Sequence, residues 1–446
     1  MAENVIGSSQ SVPKVKGRWR TVFALSSGFF VDNLENYTLE TLWPYMYAAM
    51  GWTIGQLGPI TGIVRAERVL TTPIWGFLAD KYPRKLLLIL MTGVWGLWTA
   101  AIGFINSFSQ LLWIRIISSI GLTAFWPIAF SLLGDLFPSK ERGKASSVMS
   151  VIGFAGNLIS YIILPVLAGT GGEGWRIGFI VMGVASAVSG LIMLLVADPP
   201  RGSAEAELSD IVAGNQGDTL KFKWSLLPQL IKIKSWLLLL FHYFSFAIGG
   251  SILFAFLFTW LNTLSYSQAV ILGVTPILFM GSLVAYAGSG FISDKFEDKW
   301  PNSGRFYLGL TSLLMIVVGQ IGFILLGGKS ISSLYFFGFL TGIGIGSIET
   351  GVRVPLSQNI LPPELRATGR GLLDMVVAGS GAIALIIFGL LLDNSGQAFT
   401  LLLLVIPVAI FISTLFWLPI LRSYPKDRIS LHDRLTEQRE EILKSR

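Results

Sequence analysis

The sequence predicts an all-α membrane protein of twelve transmembrane helices in two pseudo-symmetric six-helix bundles, and three observations predict it. Apolar runs of roughly 20 residues or more, each long enough to cross a bilayer, recur along all 446 residues. Only 13% of the residues are charged and 52% are hydrophobic, with a mean hydropathy of +0.66, whereas a soluble domain carries about 25% charge. Finally, one ten-residue segment occurs twice. Gly76-Phe77-Leu78-Ala79-Asp80-Lys81-Tyr82-Pro83-Arg84-Lys85 is echoed by Gly290-Phe291-Ile292-Ser293-Asp294-Lys295-Phe296-Glu297-Asp298-Lys299, 214 positions further on. Each copy sits where a long apolar run breaks into charge, as in a chain built from two related halves.

The elements follow in order. A cytoplasmic tail over 1–19 precedes a first span near 20–48. That span is too long for a signal-peptide core and no small-residue cleavage site follows it, so it is read as a retained helix. Spans near 55–79, 86–106, 110–134, 144–168 and 175–197 complete a first bundle over 20–197. Asp198-Pro199-Pro200-Arg201-Gly202 stops the sixth span, because proline cannot continue a helix, and opens a cytoplasmic linker over 198–235. Lys221 to Lys234 alternates basic and apolar residues, a pattern suited to the inner membrane surface. Spans near 236–262, 268–292, 306–327, 332–359, 370–392 and 398–421 form the second bundle over 236–421, and a densely charged tail over 422–446 is expected to be a short helix or disordered.

Orientation follows from the basic residues. Of 33 Lys and Arg, 27 fall in the two tails, the linker and alternate loops, while the opposite side holds only Arg176 and Lys329. The positive-inside rule places both termini and the linker in the cytoplasm, and in a prokaryote the inner, plasma membrane. The +7 charge is thus a matter of topology, and no basic-aromatic cluster suggests nucleic acid. The absence of cysteine and the presence of only two histidines, His242 and His432, argue against thiol chemistry, a metal site and a Ser-His-Asp triad. No phosphate loop is present, so direct ATP drive is not expected. No enzyme and no cofactor are predicted. The expected partners are a small-molecule substrate and the lipid bilayer.

Charges inside the spans carry the functional reading, since each costs about 2.5–3.5 kcal/mol on insertion scales and needs a partner or a task. Asp32 and Glu35 lie three apart on one face of span 1, and Arg65 and Arg68 lie in span 2. Asp32 and Arg68 each sit about 12 residues, or ~18 Å, from the cytoplasmic end of their span, so ion pairs between the two sets are expected. Two readings stay open: a permanent pair that orients the spans, or a carboxylate (Glu35 or Asp32) that carries a proton while Arg68, Arg65 or Arg115 meets an anionic part of the substrate. Tyr37, Trp126 and Tyr243 are the aromatic candidates for the substrate site. Glu349 and Arg353, at i and i+4, read as an internal salt bridge. His242 reads as a packed or a titrating histidine.

The repeated loop resembles the loop 2–3 motif of the major facilitator superfamily, with its weaker counterpart in loop 8–9. Asp135-Leu136-Phe137-Pro138-Ser139-Lys140-Glu141-Arg142-Gly143-Lys144-Ala145 resembles the loop 4–5 pattern, and Leu361-Pro362-Pro363-Glu364-Leu365-Arg366-Ala367-Thr368-Gly369-Arg370-Gly371 its loop 10–11 partner. The resemblance implies the major facilitator fold, alternating access through a cavity between the bundles, and a monomer. It also implies a gating role for Gly76, Asp80, Arg84, Arg142 and Asp294, beside the plainer role of fixing topology. Asp198-Pro199-Pro200-Arg201-Gly202, with Arg115 and Gly121, resembles Spinster-like transporters, although Leu122 stands where they carry glutamate. The anion–cation symporter branch shares much of the first half, but its Asp-Arg pair in span 1 is replaced here by Glu35-Asn36-Tyr37. The expected function is proton-coupled transport of a small organic anion or anionic amphiphile. Lysolipid transport, a neutral-solute uniporter, a drug exporter and a transport-dead receptor remain alternatives.

Overall fold

The structure is a computed structural model and describes residues 16–137, 139–169, 172–199, 227–301, 303–361, 366–394 and 399–444. The linker segment 200–226, with most of its basic-apolar alternation, lies outside the described residues. Among those described, the regular structure is entirely helical.

By its internal contacts the chain divides into two compact units: Met1–Met50 with Glu67–Thr219, and Gly51–Ala66 with Leu220–Arg446. The first unit holds α1 (Arg18–Asn36), α2 (Thr38–Met50), and the C-terminal part of α3 (Leu57–Lys81). It continues with α4 (Arg84–Leu88), which runs through a π-helical segment Ile89–Val94 towards α5 (Leu97–Ile102), and with α6 (Phe108–Leu122), α7 (Phe125–Leu136), α8 (Ser139–Ala168) and α9 (Gly174–Ile192). Ser107 caps α6, its hydroxyl accepting from the Gln110 amide at 3.3 Å, which satisfies one of the orphan donors of a helix start. Small residues set the packing here. A Cβ on Gly93 would meet the Gly190 Cα at 2.7 Å, so the π segment and α9 touch backbone to backbone, as small residues permit between helices in a membrane. The core of this unit gathers Leu25, Phe29, Trp75, Phe125, Ile128, Phe137 and Met149.

The second unit holds the N-terminal part of α3, then α10 (Leu227–Lys232), α11 (Lys234–Thr263), α12 (Gln268–Lys299), α13 (Gly304–Leu326) and α14 (Ile331–Ile348). A second π-helical segment, Glu349–Arg353, leads into α15 (Val354–Ile360), followed by α16 (Arg366–Asn394), α17 (Phe399–Leu402), α18 (Val405–Trp417) and α19 (Ile420–Lys444). Its core gathers Trp236, Tyr243, Phe306, Ile316, Val352, Leu356 and Trp417. The N-terminal part of α3 packs on α16 through small residues: a Cβ on Gly58 would meet the Gly389 Cα at 2.8 Å. Asp393 fixes the approach by accepting from the Thr53 hydroxyl at 2.7 Å and the Gly55 amide at 2.8 Å. The unit boundary therefore falls within α3, between Ala66 and Glu67, rather than in the linker alone.

Ten helices among the described residues are long and apolar enough to cross a membrane. The two expected spans outside that set are the first two. Span 1 is broken at Tyr37 into α1 and α2 and carries Asp32, Glu35 and Glu40; span 2 is α3, with Arg65, Glu67 and Arg68. The charges that single these helices out also lower their apolarity. The charged C-terminal stretch is helical, as α19.

Candidate functional site

A buried cluster of charge lies in the first unit. Asp32 and Glu35 on α1, Glu40 at the start of α2 and Arg115 on α6 are 6%, 2%, 6% and 3% exposed, so none of them reaches bulk solvent. Arg68 acts electrostatically on Asp32, and Arg115 on Glu35. Glu40 and Glu67 act on Arg115 as well. These six residues form one electrostatic group of four carboxylates and two guanidiniums. Helix geometry explains the assembly: Asp32 and Glu35 share a face, and the break at Tyr37 brings Glu40 round on a separate helix.

The hydrogen bonds in the group are not those that residue spacing predicts. Arg68 donates to the Asn36 side-chain oxygen at 2.6 Å, and Ser119 donates to the Glu67 carboxylate. Arg65 donates to Ser251 at 2.8 Å in the second unit. Several polar atoms in the cluster have no hydrogen-bond partner among the described residues: Nε of Arg68, and Nε and Nη1 of Arg115. Thr99 and Ser186, whose hydroxyls stand beside Glu35, are also buried. Sequence reading missed Asn36, Thr99, Ser119 and Ser186, because hydroxyls and amides are common in helices and only tertiary placement gives them meaning.

The aromatic candidates separate. Tyr37 packs at the α1–α2 break against Tyr161, with ring centroids 5.5 Å apart. Trp126 stands edge-on to Phe29 at 4.2 Å. Tyr243 belongs to the second unit, buried, its hydroxyl without a hydrogen-bond partner among the described residues and its ring 4.7 Å from the Arg353 guanidinium carbon.

Around Tyr243 runs a second polar chain. Arg353 donates through Nε to Nε2 of His242 at 3.0 Å and through Nη1 to Glu349 at 3.0 Å. An Nε2 that accepts is unprotonated, so the His242 proton sits on Nδ1 and is donated to the Ser413 carbonyl, 3.1 Å away. His242 is thus a neutral, packed histidine that uses both ring nitrogens. Phe246 covers the Arg353 guanidinium at 3.7 Å, a cation–π contact. Arg370 lies 3.7 Å from Glu349 and 3.1 Å from Asp374.

The loop residues named for gating are placed as follows. Gly76 and Asp80 lie on α3, and Arg142 lies on α8; the side chains of Asp80 and Arg142 lie outside the described set. Arg84 is 2% exposed and ties three helix ends of the first unit together. It donates to Asp198 at 2.9 Å, to the Pro199 carbonyl at 2.7 Å, to Ser131 at 3.1 Å, and to Asp135. Asp294 in the second copy pairs with Arg305 at 3.2 Å and is largely exposed.

Comparison with known proteins matches residues 25–377 to the family described as the Major Facilitator Superfamily. The chain is 22% identical over 407 residues to a probable sulfoacetate transporter of Cupriavidus necator, covering 86% of this chain and 89% of that one. It is 24% identical over 444 residues to a 4-hydroxybenzoate transporter of Acinetobacter baylyi, covering 90% and 92%. Among solved structures it resembles a bacterial homologue of the human lysosomal transporter Spinster in an inward-facing, unoccupied conformation, with a TM-score of 0.75 at 19% identity, over 95% of this chain and 99% of that one.

Proposed function

The chain belongs to the Major Facilitator Superfamily and is a multi-pass membrane transporter of small molecules, not an enzyme, and we propose that it moves a small organic anion together with a proton by alternating access. The observation that carries this reading is the buried charge group of the first unit. It holds Asp32 and Glu35 close enough to act on one another, and like charges side by side in a low-dielectric interior are costly, so a proton on one carboxylate relieves the other. A proton on Asp32 or Glu35 removes a competitor for Arg68 and Arg115, whose unpartnered N–H donors then suit a carboxylate or sulfonate, since a guanidinium binds such groups in bidentate fashion. That is the logic of symport: the proton prepares the site for the anion. The relatives' names, sulfoacetate and 4-hydroxybenzoate transporters, point to the same substrate class. The proposal includes Tyr37 and Trp126 in the first unit, Tyr243 in the second unit, and a gating role for the two loop copies.

The same reading takes α1–α2 and α3 as the first two of twelve spans, in halves joined by the 198–235 linker, with both termini cytoplasmic, in the plasma (inner) membrane if the source is a prokaryote, and with the monomer as the working unit. A second reading, lysolipid transport, is favoured by the Asp198-Pro199-Pro200-Arg201-Gly202 segment that resembles Spinster-like proteins. Thermal melting of the purified protein with small organic anions, sugars, drugs and lysolipids separates the two, because a ligand that binds only the folded state raises the melting temperature. Stabilisation by small aromatic or sulfonated acids, stronger at acid pH and lost in Arg115→Gln, supports anion symport. Stabilisation by lysolipids alone moves the assignment to the second reading.

A further inference from the structure

Two exposed stripes of the second unit run side by side, and both end in cations. On α11, Lys234 and Phe241 lie about two helical turns apart on one face, and both are exposed. Along α18 and just past its end, the exposed side chains Phe411, Leu415 and Leu418 follow at spacings of four and three, and exposed Arg422 comes four positions later. The two helices are neighbours: the Ser245 hydroxyl donates to the Ala409 carbonyl at 2.7 Å. The rings of Phe241 and Phe416 stack with centroids 5.5 Å apart. The stripes therefore flank one seam, and Lys234 and Arg422 stand at its end. There α19 is fixed to the start of α11. The Ser235 amide donates to Asp427 at 2.7 Å, and its hydroxyl to the Ser423 hydroxyl at 2.7 Å. Ile233, at the cap position of α11, offers no side-chain bond, so the Asp427 carboxylate from α19 caps this helix instead.

We propose that the end of this seam binds an anionic phospholipid, its phosphate on Lys234, Arg422 and Lys426 and an acyl chain along Phe241, Leu415 and Leu418. Charge complementarity selects the headgroup. The contacts of Ser235 with Ser423 and Asp427 bring Lys234 to the same place as Arg422 and Lys426, which share a face of α19 at i and i+4. Lys232, exposed at the end of α10, adds a fourth cation. Among the described residues none of these four has an ion pair, and the nearby Asp427 is engaged at the start of α11. Long basic side chains at helix ends carry their charge to headgroup level while their stems lie on apolar surface. Arginine adds a planar fork that suits phosphate. A zwitterionic headgroup brings its own cation and answers this charge less well. The apolar stripes select a chain-bearing ligand over a free phosphate, and exposed Ile231 and Ile429 complete the mixture of cations and apolar side chains typical of an interfacial surface. The site is separate from the buried charge group of the first unit and does not rest on the substrate reading.

The test uses the delipidated full-length protein in an uncharged detergent. Phosphatidylglycerol, phosphatidylcholine of the same chains, and glycerol phosphate are titrated separately while melting is followed, since a ligand of the folded state raises the melting temperature. The expected result is saturable stabilisation by phosphatidylglycerol, less by phosphatidylcholine and none by glycerol phosphate. Lys234→Gln with Arg422→Gln is expected to weaken the phosphatidylglycerol response roughly tenfold or more. Lys329→Gln, which removes an exposed cation far along the chain, is expected to leave it unchanged. Equal stabilisation by the two lipids overturns the proposal, as does a preference that the double variant keeps, which marks diffuse attraction to a basic surface. A full response to glycerol phosphate replaces the lipid with a free phosphate and also overturns it. Arg115→Gln separates this site from the transport site: a preference that persists there supports the seam, and one that disappears moves the lipid to the transport site and sinks the proposal. If the double variant does not fold, Arg422→Gln alone is compared with Lys329→Gln, and equal responses count against the site.

Discussion

Replacing Arg84 with methionine removes the centre of a four-acceptor hub while keeping the length and apolar stem of the side chain. Arg84 is 2% exposed, whereas its partners Asp135 and Asp198 are 13% and 21% exposed. Stripping one partner from a buried ion pair costs about 3–5 kcal/mol, because the other charge is left uncompensated. Here the two carboxylates keep some access to water, which brings the expected loss to about 2–3 kcal/mol. The Pro199 carbonyl, 2.7 Å from Nη2, loses its donor as well. For a unit of about 200 residues, 1 kcal/mol moves the melting temperature by roughly 2–4 °C, so the variant is expected to melt about 4–12 °C lower. Arg84→Lys keeps the charge but has no planar fork to reach acceptors on both α7 and the 198–199 segment, and is expected to fall between the two. The assay is thermal melting of wild type, Arg84→Met, Asp198→Asn and the double variant. The hub predicts that the two losses fail to add by about 1 kcal/mol or more, as for residues in direct contact. Additive losses, or an Arg84→Met protein that melts with the wild type, refute the hub and leave Arg84 as a topogenic or purely gating charge.

Other predictions follow from the same contacts. Asp393→Ala removes two hydrogen bonds at an exposed helix end and is expected to cost about 1 kcal/mol; an unchanged melting temperature shows that water replaces them. Gly58→Leu puts a side chain against the Leu385 carbonyl and Gly389 and is expected to separate α3 from α16, read as new thiol labelling at a cysteine introduced nearby. His242→Ala leaves the Nε–H of a buried arginine without its acceptor and is expected to cost about 1–3 kcal/mol. His242→Gln, which offers an acceptor again, is expected to restore part of that, and equal melting of the two variants speaks against the assigned tautomer. Glu35→Gln, a permanent mimic of the protonated carboxylate, is expected to keep substrate exchange while losing accumulation driven by a proton gradient; full accumulation in that variant removes Glu35 from coupling.

Much of the fold was legible because membranes constrain sequences strongly. The apolar runs, the doubled loop at Gly76 and Gly290 and the one-sided basic residues each report a physical requirement, and family membership follows the four loop patterns. The Glu349–Arg353 pair was legible because i, i+4 spacing on a helix is short-range geometry, and the pair survives inside a π-helical turn. The shared face of Asp32 and Glu35 was legible for the same reason. Partners across helices were not. Spacing suggested that Arg65 and Arg68 would meet the carboxylates of span 1; Arg68 does act electrostatically on Asp32, yet it donates a hydrogen bond to Asn36, and Arg65 donates to Ser251. Nothing in the order of residues marks Ser251, Asn36 or Ser119 above the many other polar side chains, since their significance comes from which helices pack together. Arg84 illustrates the same limit. The loop motif singled it out, but its bond to Asp198, 114 positions away, depends on where α4 and the end of the first unit come to lie.

The central claim is proton-coupled transport of an organic anion, and uptake into proteoliposomes tests it most directly. Radiolabelled 4-hydroxybenzoate and sulfoacetate are offered to vesicles holding the purified protein, with the lumen alkaline and the outside acid. The account predicts accumulation above equilibrium that collapses when a protonophore dissipates the gradient and is absent in Arg115→Gln. Uptake that only equilibrates and ignores the gradient, or no uptake of either acid beside robust movement of a lysolipid or neutral solute, contradicts it.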